Sequence, residues 1–288
     1  MPSPMSNSGA GTLYVVATPI GNLSDITYRA VETLKQVACI AAEDTRVTQK
    51  LLNRYEISTP LVSYREQNAE QAVPALVARL QNGEDVALVS DAGTPSISDP
   101  GTELVGAAHE AGIRVSPIPG PSAMSAAVSA SALPGDGVRF LGFLPRKGKE
   151  RRERIRTIAQ DPSCTVLYES PHRLRDTLTD LYKECGVRQA VVFRELTKIH
   201  EEILKGTLEE LAARFAGEVR GEVTLIIEGN QSTTQVEMDD DKLSSLIRDE
   251  LAQGRSAKDI AATLSTALGI RKKKIYDMTV ALVKERPR

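Results

Sequence analysis

Six short polar clusters hold the side chains able to do chemistry. They are Thr18-Pro-Ile-Gly-Asn22, Glu43-Asp-Thr-Arg46, Ser90 to Asp99, Pro119-Gly-Pro-Ser122, Tyr168-Glu-Ser-Pro-His172 and Arg194-Glu-Leu-Thr-Lys198. The third says most. An apolar run, Val86 to Val89, enters a loop of small residues with Asp91, Gly93, Pro95 and Asp99. In an open α/β sheet, ligands bind beyond the carboxyl ends of the strands. Gly93 permits close backbone approach, and Pro95 and Pro100 stiffen the loop. Glu43, Asp44, Glu169 and Glu195 are acceptors for a hydroxyl proton. Arg46 and Lys198 are cations for a phosphate or a polarised oxygen. The plain alternatives are an ordinary turn for the loop and a helix N-terminal salt bridge for Glu43–Arg46.

The elements that must position these clusters alternate. Apolar strands are predicted at Leu13–Ala17, Val37–Ala42, Leu61–Tyr64, Val86–Val89 and Ile113–Ile118. Helices are predicted from a Ser24 cap through Ile26, Ala30 and Leu34, then at Asn68–Leu80 and Thr102–Glu110. Continuous apolar strands between amphipathic helices imply a parallel sheet covered on both faces. If so, the first four clusters share one edge. Beyond Pro117-Ile-Pro-Gly-Pro121, a small-residue helix at Ser122–Ala132 leads into closely spaced strands, which suggests a mixed or antiparallel sheet. Its strands are expected at Phe140–Leu144, Thr165–Tyr168, Ala190–Arg194, Glu202–Lys205 and Val223–Ile227. The last two clusters would close a cleft from that side. Gly229 to Asp241 reads as a linker, and three short helices follow it, with Lys272, Lys273 and Lys274 opening the third. They resemble a helix-turn-helix module; the alternative is a helical cap.

The expected organisation is a disordered tail over 1–11, an α/β domain over 12–119, a second over 120–232 and a basic helical module over 241–288. The 288 residues are too many for one average domain. No apolar run approaches the ~20 residues of a membrane span. Residues 1–11 lack a signal-peptide pattern. Three scattered cysteines and three isolated histidines argue against a disulfide framework or a metal site, so no metal is expected. The net charge of −2 conceals two basic stretches, 146–156 and 241–288, each carrying +5. Such patches on an acidic body suit a polyanion. The common nucleotide and hydrolase motifs fail: Gly9-Ala-Gly11 precedes its strand, Gly148-Lys149 lacks P-loop spacing, and Met124 replaces the second glycine of a nucleophile elbow.

What remains resembles the tetrapyrrole methylase superfamily of S-adenosyl-L-methionine-dependent methyltransferases. The signatures are Ala17-Thr-Pro-Ile-Gly-Asn-Leu-Ser-Asp25, Ala42-Glu-Asp-Thr-Arg46, Val89 to Gly101, Pro119-Gly-Pro-Ser-Ala123, Tyr168-Glu-Ser-Pro-His-Arg173 and Arg194-Glu-Leu-Thr-Lys198. The resemblance spans about residues 11 to 285. Corrin-modifying members usually carry Gly-x-Gly-Asp-Pro in the loop that here reads Asp91-Ala-Gly-Thr-Pro95. That departure fits the RNA-modifying branch, which methylates a cytidine ribose 2′-OH in 16S rRNA.

The resemblance implies two α/β domains with the cofactor in the cleft between them. It assigns the cofactor to Pro19, Ser90, Asp91, Ala92, Gly93, Pro95, Ile97, Ser122, Tyr168, Leu196 and Thr224. It also implies a cytoplasmic homodimer acting on 16S rRNA or the small ribosomal subunit. For in-line transfer to a ribose oxygen, Glu43, Asp44 and Lys198 are the leading catalytic candidates. Arg46, Lys147, Arg151, Lys272 and Lys273 are the candidate phosphate contacts. Two other readings stay open. One is a methyltransferase for a corrin or porphyrinoid small molecule. The other is a helix-turn-helix regulator that senses a ligand without chemistry.

Overall fold

In β4, Val86–Val89, every residue is buried, which is what a central strand covered on both faces requires. The computed structural model describes residues 9–133, 135–217, 219–230, 240–268 and 272–284. Around β4 lies a five-stranded sheet in the order β3-β2-β4-β1-β5, all parallel, with β1 at Thr12–Val16, β2 at Cys39–Ala42, β3 at Leu61–Ser63 and β5 at Arg114–Ile118. Alternate residues of each strand point to opposite faces. Val86 and Leu88 pack with Leu76, Leu80, Leu104 and Ala108 from α3 (Ala69–Gln81) and α4 (Thr102–Glu110). Ala87 and Val89 pack with Ala30, Leu34 and Leu52 from α1 (Tyr28–Gln36) and α2 (Thr45–Arg54). Adjacent strands β1 and β4 therefore send their following helices to opposite faces. The gap between their carboxyl ends is the crevice such sheets use for ligands.

The second sheet runs β6-β7-β10-β8-β9, with β6 at Val138–Phe143, β7 at Cys164–Glu169, β8 at Gln189–Arg194, β9 at Glu202–Thr207 and β10 at Val223–Ile227. Only β6 and β7 pair in parallel; the other three pairs are antiparallel. α5 (Ala123–Ser131) covers one face through Ala127. The other face is covered by α6 (Lys149–Gln160), α7 (Leu174–Cys185) and α8 (Leu208–Arg214). Because β10 opposes both β7 and β8, the carboxyl ends of those two strands emerge together, with Val223 opposite Glu169 and Arg194.

The chain separates into one unit up to Gly229 and a second from Asn230. The second holds α9 (Asp240–Ala252), α10 (Ala257–Leu268) and α11 (Lys272–Lys284) around Leu243, Ile247, Ile260 and Ile275. The Ser256 hydroxyl caps α10 by accepting from the Asp259 N–H at 3.2 Å.

Several expectations are corrected. Ser24 does not cap α1; Thr27 does, its hydroxyl accepting from the Ala30 N–H. Helix α2 has no counterpart among the predicted elements. Of the expected tail, residues 1–8 lie outside the described residues, while Gly11 is buried and donates its N–H to the Leu80 carbonyl at 2.7 Å. Most of the expected linker, 231–239, and the helix boundary at Gly269 and Arg271 also fall outside the described residues. Asp240 and Asp241 already belong to α9.

Candidate functional site

Within the first unit a cavity of about 360 Å³ opens where the two sheets present their strand ends. That is within the ~300–1,000 Å³ range of small-molecule sites. One wall comes from the loops after β1 and β4 and the start of α5: Ile20, Ala92, Gly93, Ile97 and Ser122. The opposite wall comes from the second sheet: Phe143, Tyr168, Phe193, Leu196 and Thr224.

The floor is set by backbone. Gly93 lies at φ +81° and exchanges two hydrogen bonds with Thr18, N–H to carbonyl at 3.0 Å and the reverse at 2.8 Å. Only glycine adopts that angle freely. The Thr18 hydroxyl also donates to the Ser90 carbonyl at 3.1 Å. The small-residue loop is thereby stitched to the loop after β1.

Strain is concentrated at the walls. Six described non-glycine residues have positive φ, and four of them flank the two apolar wall residues. Ser96 (+68°) and Ser98 (+67°) bracket Ile97; Glu195 (+53°) and Thr197 (+66°) bracket Leu196. Left-handed non-glycine backbone costs about 1–3 kcal/mol per residue and gathers at functional sites. Here it turns one apolar side chain from each sheet into the same cavity.

Three carboxylates line the cavity: Asp99, Glu169 and Glu222. Glu169 is 2 % exposed, and its oxygens accept from the Ser170 N–H (2.7 Å) and the Thr177 hydroxyl (2.6 Å), with Arg173 at 3.4 Å. Glu222 is exposed and holds Lys198 at 3.0 Å. Asp99 is partly buried and is pushed up to about 6 by burial and by the charges of Glu43 and Asp91. Burial, reinforced by Asp99, also raises the Tyr168 hydroxyl.

Of the eleven residues assigned to the cofactor from sequence, Ala92, Gly93, Ile97, Ser122, Tyr168, Leu196 and Thr224 line the cavity. Pro19, Ser90 and Pro95 are buried behind that surface. Asp91 turns away, its carboxylate accepting from the Asp44 N–H at 2.9 Å. Ser122 also caps α5.

The catalytic candidates fare differently. Glu43 and Asp44 line a separate pocket with Arg65 and Asp91. Glu43 is raised by burial and then by Asp91, and its Oε2 is buried without a hydrogen-bond partner among the described residues. Asp44 is the N-cap of α2. Its carboxylate accepts from the Arg46 N–H at 2.9 Å and pairs with the Arg46 guanidinium, hydrogen bonds that hold it far below the usual carboxylate range. The salt-bridge alternative is the one observed. Replacing Asp44 by alanine is expected to lower the urea midpoint slightly without changing the slope, as loss of a cap does.

Lys198 is not on the cavity wall. Its ammonium is fixed by Glu195 (2.8 Å) and Glu222 (3.0 Å), and its stem packs on Gly21, where a Cβ would come within 2.5 Å of Lys198 Cγ. Burial would lower its proton affinity, but the two carboxylates more than offset that and favour its charged form.

Among the phosphate candidates, Arg151 is corrected. It is 8 % exposed and spent on Asp180, Thr177 and the Pro145 carbonyl. Lys147, Lys272 and Lys273 are exposed, and Arg46 is exposed but paired. The cavity also takes in Phe143 and Asp99, which are not among the residues assigned from sequence. Asp99 sits in the small-residue loop after β4; Phe143 carries no motif signal.

The family model described as Tetrapyrrole (Corrin/Porphyrin) Methylases matches residues 12–212. A Halalkalibacterium halodurans protein named "Ribosomal RNA small subunit methyltransferase I" is 47 % identical, covering 93 % of this chain and 94 % of its own. A Synechocystis sp. protein of the same name is 44 % identical, covering 94 % and 98 %. Among solved structures, the uroporphyrin III C-methyltransferase of Thermus thermophilus complexed with S-adenosyl homocysteine has a TM-score of 0.55 at 20 % identity, over 76 % of this chain and 97 % of that one. A cobalt precorrin-4 methyltransferase has a TM-score of 0.57 at 18 % identity, over 79 % and 97 %. These two carry the fold alone; with the family model and the closer relatives, they establish that the chain belongs to the tetrapyrrole (corrin/porphyrin) methylase family.

Proposed function

We propose that this chain is an S-adenosylmethionine-dependent methyltransferase that modifies small-subunit ribosomal RNA, at a cytidine ribose 2′-OH of the 16S molecule. The carrying observation is the reach of the similarity. Relatives named for ribosomal RNA match 93–94 % of the chain, which must include most of the basic helical unit from Asn230 onward. The porphyrinoid enzymes match 76–79 % at 18–20 % identity. The corrin reading therefore rests on fold and family membership alone. The sensor reading has no support in the relatives' names.

The cavity suits S-adenosylmethionine. Ile20, Ile97, Leu196 and Phe193 give apolar walls for an adenine, while Thr94, Ser122 and the loop backbone give polar groups for its ribose and amino-acid ends. When bound, it supplies a methyl group already activated by the sulfonium charge. The protein then has mainly to align donor and acceptor. Ile97 and Leu196, each set by flanking left-handed residues, and the Gly93 floor would hold the donor. Among the described residues, no group of His, Cys, Asp and Glu is placed to hold a metal.

RNA recognition falls to shape, phosphate and stacking. The β6 bulge between Phe140 and Gly142 re-aims Phe143, leaving it 52 % exposed on the cavity with its ring 5.8 Å from Tyr168. A displaced base can stack there, beside exposed Lys147 and Lys149. Phe143→Ala is expected to weaken RNA binding by about 1–3 kcal/mol, the usual worth of one base–aromatic stack, and S-adenosylmethionine affinity by less; gel-shift and calorimetric titrations measure the two.

The family reading also brings a cytoplasmic homodimer, tested by light scattering of the purified protein. No helix among the described residues is long and apolar enough to cross a membrane. The direct test of function is mass mapping of ribose methylation on ribosomal RNA from cells with and without the protein. Loss of one 2′-O-methylcytidine in 16S rRNA supports the proposal. An unchanged map, with transfer to a porphyrinoid in vitro, overturns it.

A further inference from the structure

We propose that the loop after β6 and the exposed side of α6 form a phosphate clamp at the rim of the cavity, in which Arg146, Lys147 and Arg152 hold the RNA strand next to the nucleotide being methylated. The inference rests on the RNA methyltransferase reading and adds how the acceptor strand is held over the cavity.

The seven basic groups of 146–156 are not equivalent. Arg151 is turned inward, onto Asp180, Thr177 and the Pro145 carbonyl. Lys149 pairs with Glu153 at 3.6 Å, Arg154 with Glu150 at 3.1 Å and Arg156 with Glu184 at 3.9 Å. Arg146, Lys147 and Arg152 are exposed, and no hydrogen bond or ion pair engages their side chains among the described residues. Both acids of the stretch are thus matched, and three cations face solvent uncompensated.

The loop that carries Arg146 and Lys147 is held from beneath by two other arginines. Arg173 donates to the carbonyls of Leu144 at 2.8 Å and Pro145 at 3.3 Å. Arg151 donates to the Pro145 carbonyl at 3.2 Å. Behind them, the Thr177 hydroxyl accepts from Arg151 at 3.0 Å and donates to Glu169 at 2.6 Å, and Glu169 also faces Arg173 at 3.4 Å. Pro145 fixes its own φ, and Gly148 takes φ +94°, open to glycine, where the loop turns into α6. With the backbone set, binding has only side chains left to order, which lowers its entropic cost.

Position points to RNA. Phe143, half exposed on the cavity, precedes Arg146 by three residues, so their Cα atoms lie within about 11 Å of each other. Helical side chains lean toward the helix N-terminus, which brings Arg152 back over Gly148 and the loop. A single-stranded nucleotide offers a base to stack and a phosphate on the same unit. Phe143 meets the first and the free cations the second. A guanidinium matches phosphate with two parallel donors, and a lysine adds a point charge.

The test uses the full chain and small-subunit rRNA lacking the modification, with binding measured from about 50 to 200 mM salt. Each lost phosphate contact flattens the dependence of log affinity on log salt by about 0.7, so Arg146→Ala, Lys147→Ala and Arg152→Ala together should flatten it by about 2.1 and weaken binding about a hundredfold near 0.1 M salt. Calorimetric affinity for S-adenosylmethionine and the melting temperature should hold. Lys35→Ala, which removes an exposed charge from α1, should leave the slope unchanged. In the unaltered chain, rRNA should shield Lys147, and not Lys35, from an amine-reactive label. A triple variant whose slope stays within about 0.3 of wild type, or Lys147 labelled equally with and without rRNA, overturns the clamp. If wild type methylates rRNA and the triple variant does so with an unchanged KM for RNA, only the clamp fails. If wild type neither binds nor methylates rRNA, the functional reading fails and the clamp falls with it.

Discussion

Gly93→Val should abolish cofactor binding and methyl transfer together, while the first unit still folds. The reason is conformational. A Cβ at Gly93 would meet nothing closer than Ile20 Cγ2 at 3.5 Å and the Pro121 carbonyl at 3.9 Å, ordinary contacts. The obstacle is the φ of +81°, which a β-branched residue resists most. Relief requires the loop to rotate, which breaks the paired Thr18 hydrogen bonds of 2.8 and 3.0 Å. The cavity floor formed by Ala92, Gly93 and Thr94 then moves. A strain of about 1–3 kcal/mol corresponds to about 5- to 150-fold in affinity, before any bulk placed inside the cavity is counted. The matched control is Gly106→Ala, in α4, where a Cβ meets open space; it should bind the cofactor normally and melt slightly higher. Calorimetric titration and thermal melting of both variants decide it. Normal affinity in Gly93→Val would remove this loop from the cofactor site.

The setting of this loop is largely legible in the amino-acid sequence. Four polar clusters after apolar runs fall at one sheet edge once the strands are parallel, and periodicity alone indicates that. The second sheet's mixed character follows from the short spacing between Arg194 and Glu202, too little chain for a parallel crossover. What the sequence conceals is partnership at long range. Asp44 looks like a catalytic carboxylate because its type suits both chemistry and capping; only α2, with few apolar residues to announce it, reveals the cap. Arg151 sits in a basic run, yet Asp180, twenty-nine positions away, draws it inside. Thr27 outcompetes Ser24 as a cap because Ser24 lies inside a separate short helix capped at its start by Asn22. Asp99 lies in the most telling motif, but its setting depends on Glu43 and Tyr168, from different strands. Leu196 and Ile97 lie within two of the signatures, but the paired left-handed residues that aim them are a backbone property.

Removing 241–288 should cost about a hundredfold or more in methyl transfer to rRNA and nothing in cofactor affinity. Every residue lining the cavity lies between Ile20 and Thr224, inside the first unit. The helical unit has its own apolar cluster of Leu243, Ile247, Ile260, Leu264 and Ile275. Neither core needs side chains of the other to be filled, so the truncation should leave the cavity intact. The loss falls instead on RNA. The stretch carries +5, and Lys272 and Lys273 stand exposed on the first turn of α11, with Lys274 tied to Asp240 at 2.8 Å. Phosphate contacts release counterions, so each one lost flattens the dependence of log affinity on log salt by about 0.7 for single-stranded RNA. Lys272→Ala with Lys273→Ala should therefore flatten the slope by about 1.4 if both touch phosphate, and should leave calorimetric binding of S-adenosylmethionine unchanged. That graded result separates an RNA-binding unit from a structural cap. If the truncated chain binds RNA with an unaltered salt slope, or if cofactor affinity falls in step with transfer, the helical unit is a cap, and the RNA contacts belong to the exposed lysines beside Phe143.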